Sequence, residues 1–567
     1  MELVGIGFTW KHGQATYLPF PRGFDNQIEL IEKFRNILED PTVGKMGQNL
    51  KYDSRILDRF NIRIQNISFD TMLAHYCLFG DRFKHNLDDI CMHHLGHIKV
   101  RTKDVIPRKT KTNSNPTMAD TDPAIVAHYC CEDTDFTFRV VEYLRYLLKQ
   151  EEHSAAKEIY YKFELPLLPV LIDMECSGVV IDTDYIDNLR EEVHEEIEHC
   201  SNVMEQELGE RISITNSRAI EKAVYETLSV HRKMGLTIGQ TKTGRFKTDA
   251  ATLQTMKRNR FVNNLLRVKK LNKLLNTYVD AIPNRISDVT DLLHASFNQT
   301  ITATGRLSSS GPNLQNIPKG DPTASKVRNA FISRFTGGCI LAADYSQCEL
   351  RILADLTQEP TFINAFNSNL DIHSNVASVI YNIPIVEITE LQRRLAKTAN
   401  FLLIYGGGEM RLASTLSIKV EAAREVISKY LGGLPKIKEF MDESAQILDY
   451  FGYTETMFGR RRYISEIYSK NIELKKKAER EGMNHRIQGS NADLIKLAMI
   501  AIHSMLENKQ LKSKLVLQIH DEIVIDVHPD EKAFLKEDVL DIMQNVVHFS
   551  IPMVAEGEYA DSWGEAH

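Results

Sequence analysis

Two short acidic strings in the C-terminal half carry residue types suited to metal-assisted chemistry. In GCILAADYSQCELRILADL an apolar run ends at Asp344 and the residues after it fit a helix starting near Ser346, which puts the carboxylate at a strand-to-helix junction. In KLVLQIHDEIVIDVH two β-like runs flank His520, Asp521 and Glu522, so the acidic pair lies at or beside the turn of a hairpin. Carboxylates at the ends of neighbouring strands can hold a pair of Mg²⁺ ions, with Mn²⁺ as a substitute. Such a pair suits phosphoryl transfer, one ion lowering the pKa of an attacking hydroxyl and the other neutralising charge on a leaving pyrophosphate. As isolated strings, both also fit a capping or turn aspartate.

Between them, LQRRLAKTANFLLIYGGG repeats Arg393, Lys397, Phe401 and Tyr405 every four residues, one stripe along a helix. At a rise of ~1.5 Å per residue the stripe runs about 18 Å, a length suited to a nucleoside triphosphate with its phosphates on the cations and its base and sugar near the rings. Gly406, Gly407 and Gly408 can end the helix and let it swing. The same spacing equally describes an amphipathic helix with aromatic residues in the core.

The elements that must position these groups belong to a chain of 567 residues, long enough for about four domains or subdomains. With 43% hydrophobic and 26% charged residues it reads as ordered, and it has neither a membrane-length apolar run nor a signal-peptide start, so the cytoplasm is expected. The eight cysteines show no CxxC pairing and read as reduced thiols. A net charge of −7 excludes binding to nucleic acid by bulk electrostatics and leaves local basic patches. One runs from Lys257 to Lys273, the other comprises Arg460 to Arg462, Lys475 to Lys477 and Arg480. Residues 1 to about 150 mix strands and helices, 155 to 290 are almost wholly helical, and strands and helices alternate irregularly beyond.

Taken together, the motifs resemble family A DNA polymerases, relatives of bacterial DNA polymerase I, through essentially the whole chain. TATGRLSSSGPNLQNIP (302–318) resembles the family's primer-template segment and places Arg306, Asn313 and Gln315 near DNA. DYSQCELR resembles the first catalytic motif, RRLAKTANFLLIYG the nucleotide-binding helix, and VLQIHDEIV the second catalytic motif. In EREGMNHRIQGSNADLIK, Arg480, Asn484 and Gln488 match residues that touch template and primer. The resemblance implies a multi-domain α/β plus α+β chain, with an RNase H-like exonuclease-type domain over 1–155 followed by a right-hand polymerase domain: thumb 156–290, palm 291–355 and 480–567, fingers 356–479. It implies a monomeric template-directed DNA polymerase acting on primer-template DNA and deoxynucleoside triphosphates. Asp344, Asp521 and the Tyr345 carbonyl would ligate the metals, with Glu522 a supporting acid. Arg393 and Lys397 would bind the triphosphate, Lys397 also protonating the pyrophosphate, while Gln347, Glu349, Phe401, Tyr405 and His520 complete the nucleotide site.

Glu349 lies where the family blocks a ribose 2′-hydroxyl, so deoxyribonucleotide selectivity is expected; Phe401 stands where a tyrosine hydroxyl would admit dideoxynucleotides, so discrimination against them is expected. The chain also departs from the family pattern. Leu402 replaces a frequent glycine, Gly407 and Gly408 replace bulkier residues, and Gly320 replaces a frequent arginine. In the front domain, GQNLKYD and YCCED resemble exonuclease motifs through Asp53, Tyr129 and Asp133. The family's Asp-x-Glu strand would precede MELVGIGF, and Glu2 cannot replace both of its carboxylates. Proofreading is therefore expected to be absent or weak, with Asp53, Tyr129 and Asp133 as remnants. No segment resembles a 5′ nuclease domain, so flap removal is not expected, and so short a chain would suit a virus as well as a bacterium. The cluster Cys91, His93, His94 and His97 reads as structural. A single-subunit RNA polymerase is disfavoured by Glu349 and Phe401, and a non-catalytic DNA-end binder by the joint presence of Asp344, Asp521 and Lys397.

Overall fold

Apolar-polar alternation in GIGFTWK and QATYLP forms strands β1 (Gly5–Lys11) and β2 (Gln14–Pro19), an antiparallel hairpin. The computed structural model describes residues 3–110, 113–317, 321–404, 406–416 and 418–566, so Glu2, Gly320 and Tyr405 of the sequence expectations lie outside the described residues. Strands β3 (Lys45–Gly47) and β4 (Ile67–Asp70) pair in parallel, joined through helix α1 (Leu50–Asp58). The long helix α2 (Pro123–Leu148) opens with proline after Asp122, whose carboxylate accepts the Ala124 N–H at 2.9 Å. It buries Val140, Val141 and Leu144 in one core with Phe69 and Leu73.

A chain of imidazoles runs through this front body. His75, fully buried, contacts His85 (Nδ1···Nδ1 2.7 Å) and His94 (Nε2···Nε2 2.9 Å). Burial first, and the other rings second, hold His75 far below the usual range, while burial lowers His85 to about 4. The unfolded chain, with ordinary histidines near pH 6.5, therefore binds more protons between that value and the folded ones, so stability falls as pH falls below about 6.5. Chemical denaturation at pH 7.5 and pH 5 is expected to show the front body losing roughly 2 kcal/mol for each of these two rings. An unchanged midpoint would mean that the rings are hydrated in solution.

Helix α3 (Leu165–Ser177) joins the front body to the rest. Leu167 and Leu171 enter the central core, while Glu175, 1% exposed, accepts Lys51 Nζ at 2.5 Å and pairs with Arg55 at 3.1 Å, both from α1. Helices α4 (Thr183–Leu208) and α5 (Arg260–Leu274) then form an antiparallel arm. On α5, Val262, Leu265, Val268 and Leu271 recur at helical spacing and are buried. The basic run here is partly neutralised within the molecule. Arg267 holds Glu196 at 2.6 Å and Asp321 at 2.8 Å, and Lys270 holds Asp321 at 2.6 Å.

The centre of the C-terminal body is an antiparallel sheet of β5 (Cys339–Tyr345), β6 (Lys514–Ile519), β7 (Glu522–Val527) and β8 (Ala555–Ala560), in the order β6-β7-β5-β8. Around it lie α6 (Cys348–Thr357), α7 (Ile372–Tyr381), α8 (Glu390–Ile404) and the 37-residue α9 (Ile472–Asn508). The middle of α9 is buried almost all round, as a helix threading a large core must be. Arg460, expected in the second basic patch, is instead 5% exposed and bound inside the molecule to Glu164 and Asp493. No helix among the described residues is long and apolar enough to cross a membrane.

Candidate active site

Sheet register brings the two acidic strings together. Asp344, at the end of β5, pairs with Glu522 on β7, and the Tyr345 N–H donates to the Asp521 carbonyl at 3.3 Å. His520 and Asp521 form the two-residue loop between β6 and β7, with His520 at φ 57°, a left-handed conformation that closes a tight hairpin. Asp344 and Asp521 are half-buried at this end of the sheet. Glu522 differs from both. It is fully buried and accepts the Trp563 Nε1–H at 2.5 Å, with Arg328 Nη1 4.0 Å away. On the other side of β5, Glu556 of β8 is also in register with Asp344 and exposed, so three carboxylates share one row across three strands.

The groups next to this row are braced by neighbouring loops. The Tyr345 hydroxyl donates to the Met543 carbonyl at 2.6 Å, which fixes the end of β5. Gln347, exposed and at φ 54°, starts α6, and the Ser346 N–H before it donates to the Val554 carbonyl at 2.8 Å. Burial first, then the charges of Asp521 and Glu349, push the Cys348 thiol well up, so it stays a neutral packing group. Glu349, 7% exposed, receives Arg306 Nη2 at 2.6 Å. Gln315 donates to the Gln518 carbonyl at 3.2 Å and side chain at 3.0 Å, and Gln518 donates in turn to the His520 carbonyl. The segment containing Arg306 and Gln315 thus supports both Glu349 and the hairpin turn. Asn313 is exposed beside it.

On α8 the stripe is real but unequally engaged. Arg393 makes a two-point contact with Asp371, at 2.8 and 3.1 Å, which holds the Asp371 carboxyl well below its usual range against the opposing effect of burial. Lys397 is exposed. Phe401 lies 5.8 Å from the His373 ring, and Asn400 Nδ2–H donates to His373 Nδ1 at 3.1 Å. Burial lowers His373 to about 4, so at neutral pH it is uncharged and its proton resides on Nε2. Past the helix, Gly406 (φ 68°) abuts Arg480, where a Cβ would come within 2.6 Å of Arg480 Cβ. Arg480, Asn484 and Gln488 follow at four-residue intervals on α9, exposed, half-buried and buried respectively.

Two of the sequence departures explain each other. A Cβ on Gly407 would fall on Leu402 Cδ2 and within 2.9 Å of the Leu402 carbonyl oxygen, so the leucine occupies the volume that a larger residue at 407 would need. If α8 binds nucleotide, as the family resemblance implies, Gly407→Ala is expected to raise the KM for it several-fold, and Leu402→Ala in the same chain to recover part of that loss, as sharing one cavity requires. Additive effects in a double-mutant cycle would refute the coupling.

In the front body, Asp53 is open to solvent yet crowded by protein, which together with the Asp70 charge pushes its carboxyl upward. The Tyr129 hydroxyl is 2.9 Å from Thr102 Oγ1, and Asp133 is hydrogen-bonded to Lys99. Sequence reasoning missed Lys99, Arg328, Asp371, His373, Glu556 and Trp563. Of these only Trp563, one of just two tryptophans, carries a usable sequence signal.

Residues 183–565 match the family described as DNA polymerase family A, and residues 1–149 match the one described as 3′-5′ exonuclease. The chain is 31% identical to DNA polymerase I of Pseudomonas aeruginosa over 100% of its own length and 62% of that protein's. Against DNA polymerase I of Borreliella burgdorferi it is 34% identical, over 100% of this chain and 61% of that one. The chain therefore spans about three-fifths of the length of these curated relatives. Among solved structures, the POL domain of Pol1 from M. smegmatis, in complex with DNA primer-template and dNTP, superposes with a TM-score of 0.85 at 28% identity, covering 98% of this chain and 92% of that one.

Proposed function

This chain belongs to DNA polymerase family A, and on that premise we propose that it extends the 3′ end of a primer along a DNA template from deoxynucleoside triphosphates. The observation that carries the reading is the meeting of Asp344 and Asp521 at one end of the sheet, through the Tyr345 N–H bond to Asp521. Residues 156–290 act as thumb, 291–355 and 480–567 as palm, and 356–479 as fingers. Family A DNA polymerases are metal-dependent, and the donor set here fits hard divalent cations: two half-buried carboxylates beside a backbone carbonyl, all oxygen. Asp344, Asp521 and the Tyr345 carbonyl would hold two Mg²⁺, which when bound supply a lowered hydroxyl pKa at the primer end and charge neutralisation at the pyrophosphate.

The chain's own residues bind and orient the reactants. Arg393 exchanges its Asp371 contact for the triphosphate, the His373 Nε2–H is a second donor beside it, and Lys397 delivers a proton to the departing pyrophosphate. Phe401 flanks the sugar and offers no hydroxyl in place of a missing 3′-OH, which disfavours dideoxynucleotides. Arg306, Asn313 and Gln315 face the primer-template together with Arg480, Asn484 and Gln488. Hydrolysis of the primer end by the front domain is weak or absent in this reading.

A 5′-labelled primer on a longer template, incubated with Mg²⁺, tests it. Extension is expected with the four deoxynucleotides and no shortening without them; binding of primer-template without extension would refute polymerisation. Glu349→Ala is expected to raise ribonucleotide incorporation roughly 10- to 100-fold relative to deoxynucleotides, because the blocking carboxylate is gone. An unchanged preference would remove Glu349 from the sugar site.

A further inference from the structure

A 3′-5′ exonuclease of two-metal type needs carboxylates free to take divalent cations, and the residues present in the front body do not fit that requirement. We infer that its Asp133 site is closed to divalent metal by a resident ammonium, that of Lys99. The inference rests on the exonuclease-type reading of residues 1–149 and goes beyond weak proofreading by naming the group that keeps the metal out.

Lys99 Nζ donates to Asp133 and lies 3.4 Å from Asp88 and 5.5 Å from the Tyr129 ring centroid, so the cation sits among the acid and the aromatic residue of the YCCED string. Its side chain is 1% exposed, whereas Ile98 before it is 82% exposed, as alternation along an extended segment requires. That segment is strapped to α2 along its length. His97 Nε2 is 2.8 Å from Glu132, the Val100 N–H donates to Glu132 at 2.9 Å, and Thr102 meets Tyr129 at 2.9 Å, while the His97 ring stacks 3.8 Å from Phe136. Lys99 therefore cannot swing out without peeling its strap from the helix. Burial opposes its charge, yet the Asp133 bond and the neighbouring acids hold the amine above its ordinary value. A divalent ion at Asp133 would have to displace a bonded, buried cation or sit against it, and both are electrostatically unfavourable. Asp133 is then the counter-ion of a structural pair.

The test measures Mn²⁺ binding by electron paramagnetic resonance on the full chain carrying Asp344→Asn and Asp521→Asn, which removes the proposed polymerase ligands. No Mn²⁺ dependent on Asp133 is expected; adding Lys99→Met should create one site, abolished again by Asp133→Asn. Mn²⁺ held in the Lys99-containing protein and lost on Asp133→Asn overturns the inference, as does a folded Lys99→Met chain that gains no site. Should Lys99→Met fail to fold, thermal melting of the Lys99-containing protein decides: Mn²⁺ should leave the front-body transition unmoved, and an Asp133-dependent rise overturns the proposal. Mn²⁺ at Asp133 without primer shortening would sink this inference alone, whereas Asp53-dependent shortening would sink the reading of weak proofreading.

Discussion

Asp521→Ala is expected to reduce primer extension on the order of 10³-fold or more, while primer-template binding changes little. Asp521 stands on a two-residue loop whose backbone is fixed from both sides, by the Ile519–Glu522 pairing of β6 with β7 and by the Tyr345 N–H on its carbonyl. Its backbone is therefore held beside Asp344, and the substitution leaves that pairing in place while removing one of the two carboxylates of the proposed donor set. Loss of several kcal/mol of transition-state charge stabilisation corresponds to about three decades in rate. Glu522→Gln is the matched comparison. That residue is buried against Trp563, so its replacement should alter stability and reduce rate far less than Asp521→Ala. Single-turnover extension of a labelled primer measures both, and a residual rate in Asp521→Ala within tenfold of the parent would contradict the assignment.

Arg460→Met should give the largest loss of stability, about 3–5 kcal/mol in a denaturant titration. Arg460 and Lys496 face Glu164 and Asp493 in a closed interior network in which no member is more than 5% exposed. Arg460 Nη2 reaches Glu164 at 2.6 Å and Asp493 at 2.7 Å, Lys496 Nζ reaches Glu164 at 2.5 Å, and the Gln299 amide and the Thr456 hydroxyl donate to the second oxygens of Glu164 and Asp493. Two cations balance two anions, so deleting one leaves a net buried negative charge with no water to hydrate it. Activity should fall as well. Gly305 packs directly on the Arg460 guanidinium, and the Tyr76 hydroxyl donates to the Thr302 carbonyl at 2.8 Å, so the network seats the loop that presents Arg306 to Glu349. A midpoint displaced by less than ~1 kcal/mol would mean that water reaches the network.

Strings of adjacent residues made the catalytic elements legible. A hydrophobic run ending in Asp344, two β-like runs around His520-Asp521-Glu522, and a four-residue repeat from Arg393 to Phe401 each encode their own secondary structure, because side-chain period and backbone geometry are local properties. The family resemblance rested on the same strings, and the match over residues 183–565 agrees with it. Local pattern could not tell what each polar group would meet. Arg460 and Arg461 are adjacent and chemically alike, yet one lies in the core and the other is half-buried against Glu455, since the partners that draw Arg460 inside, Glu164 and Asp493, are 296 and 33 residues away. Nor could local pattern tell that Arg267 and Lys270, inside the basic run, both pair with Asp321. Lys99, Asp371 and Trp563 drew no notice because their roles exist only once distant segments pack against them. What the sequence determined by itself was the inventory of reactive groups and the elements that carry them. Tertiary structure alone decided which charges are neutralised, which carboxylates share a row across the sheet, and that the front-domain aspartate is already occupied by a lysine, because burial and pairing are properties of contacts between segments far apart in the chain.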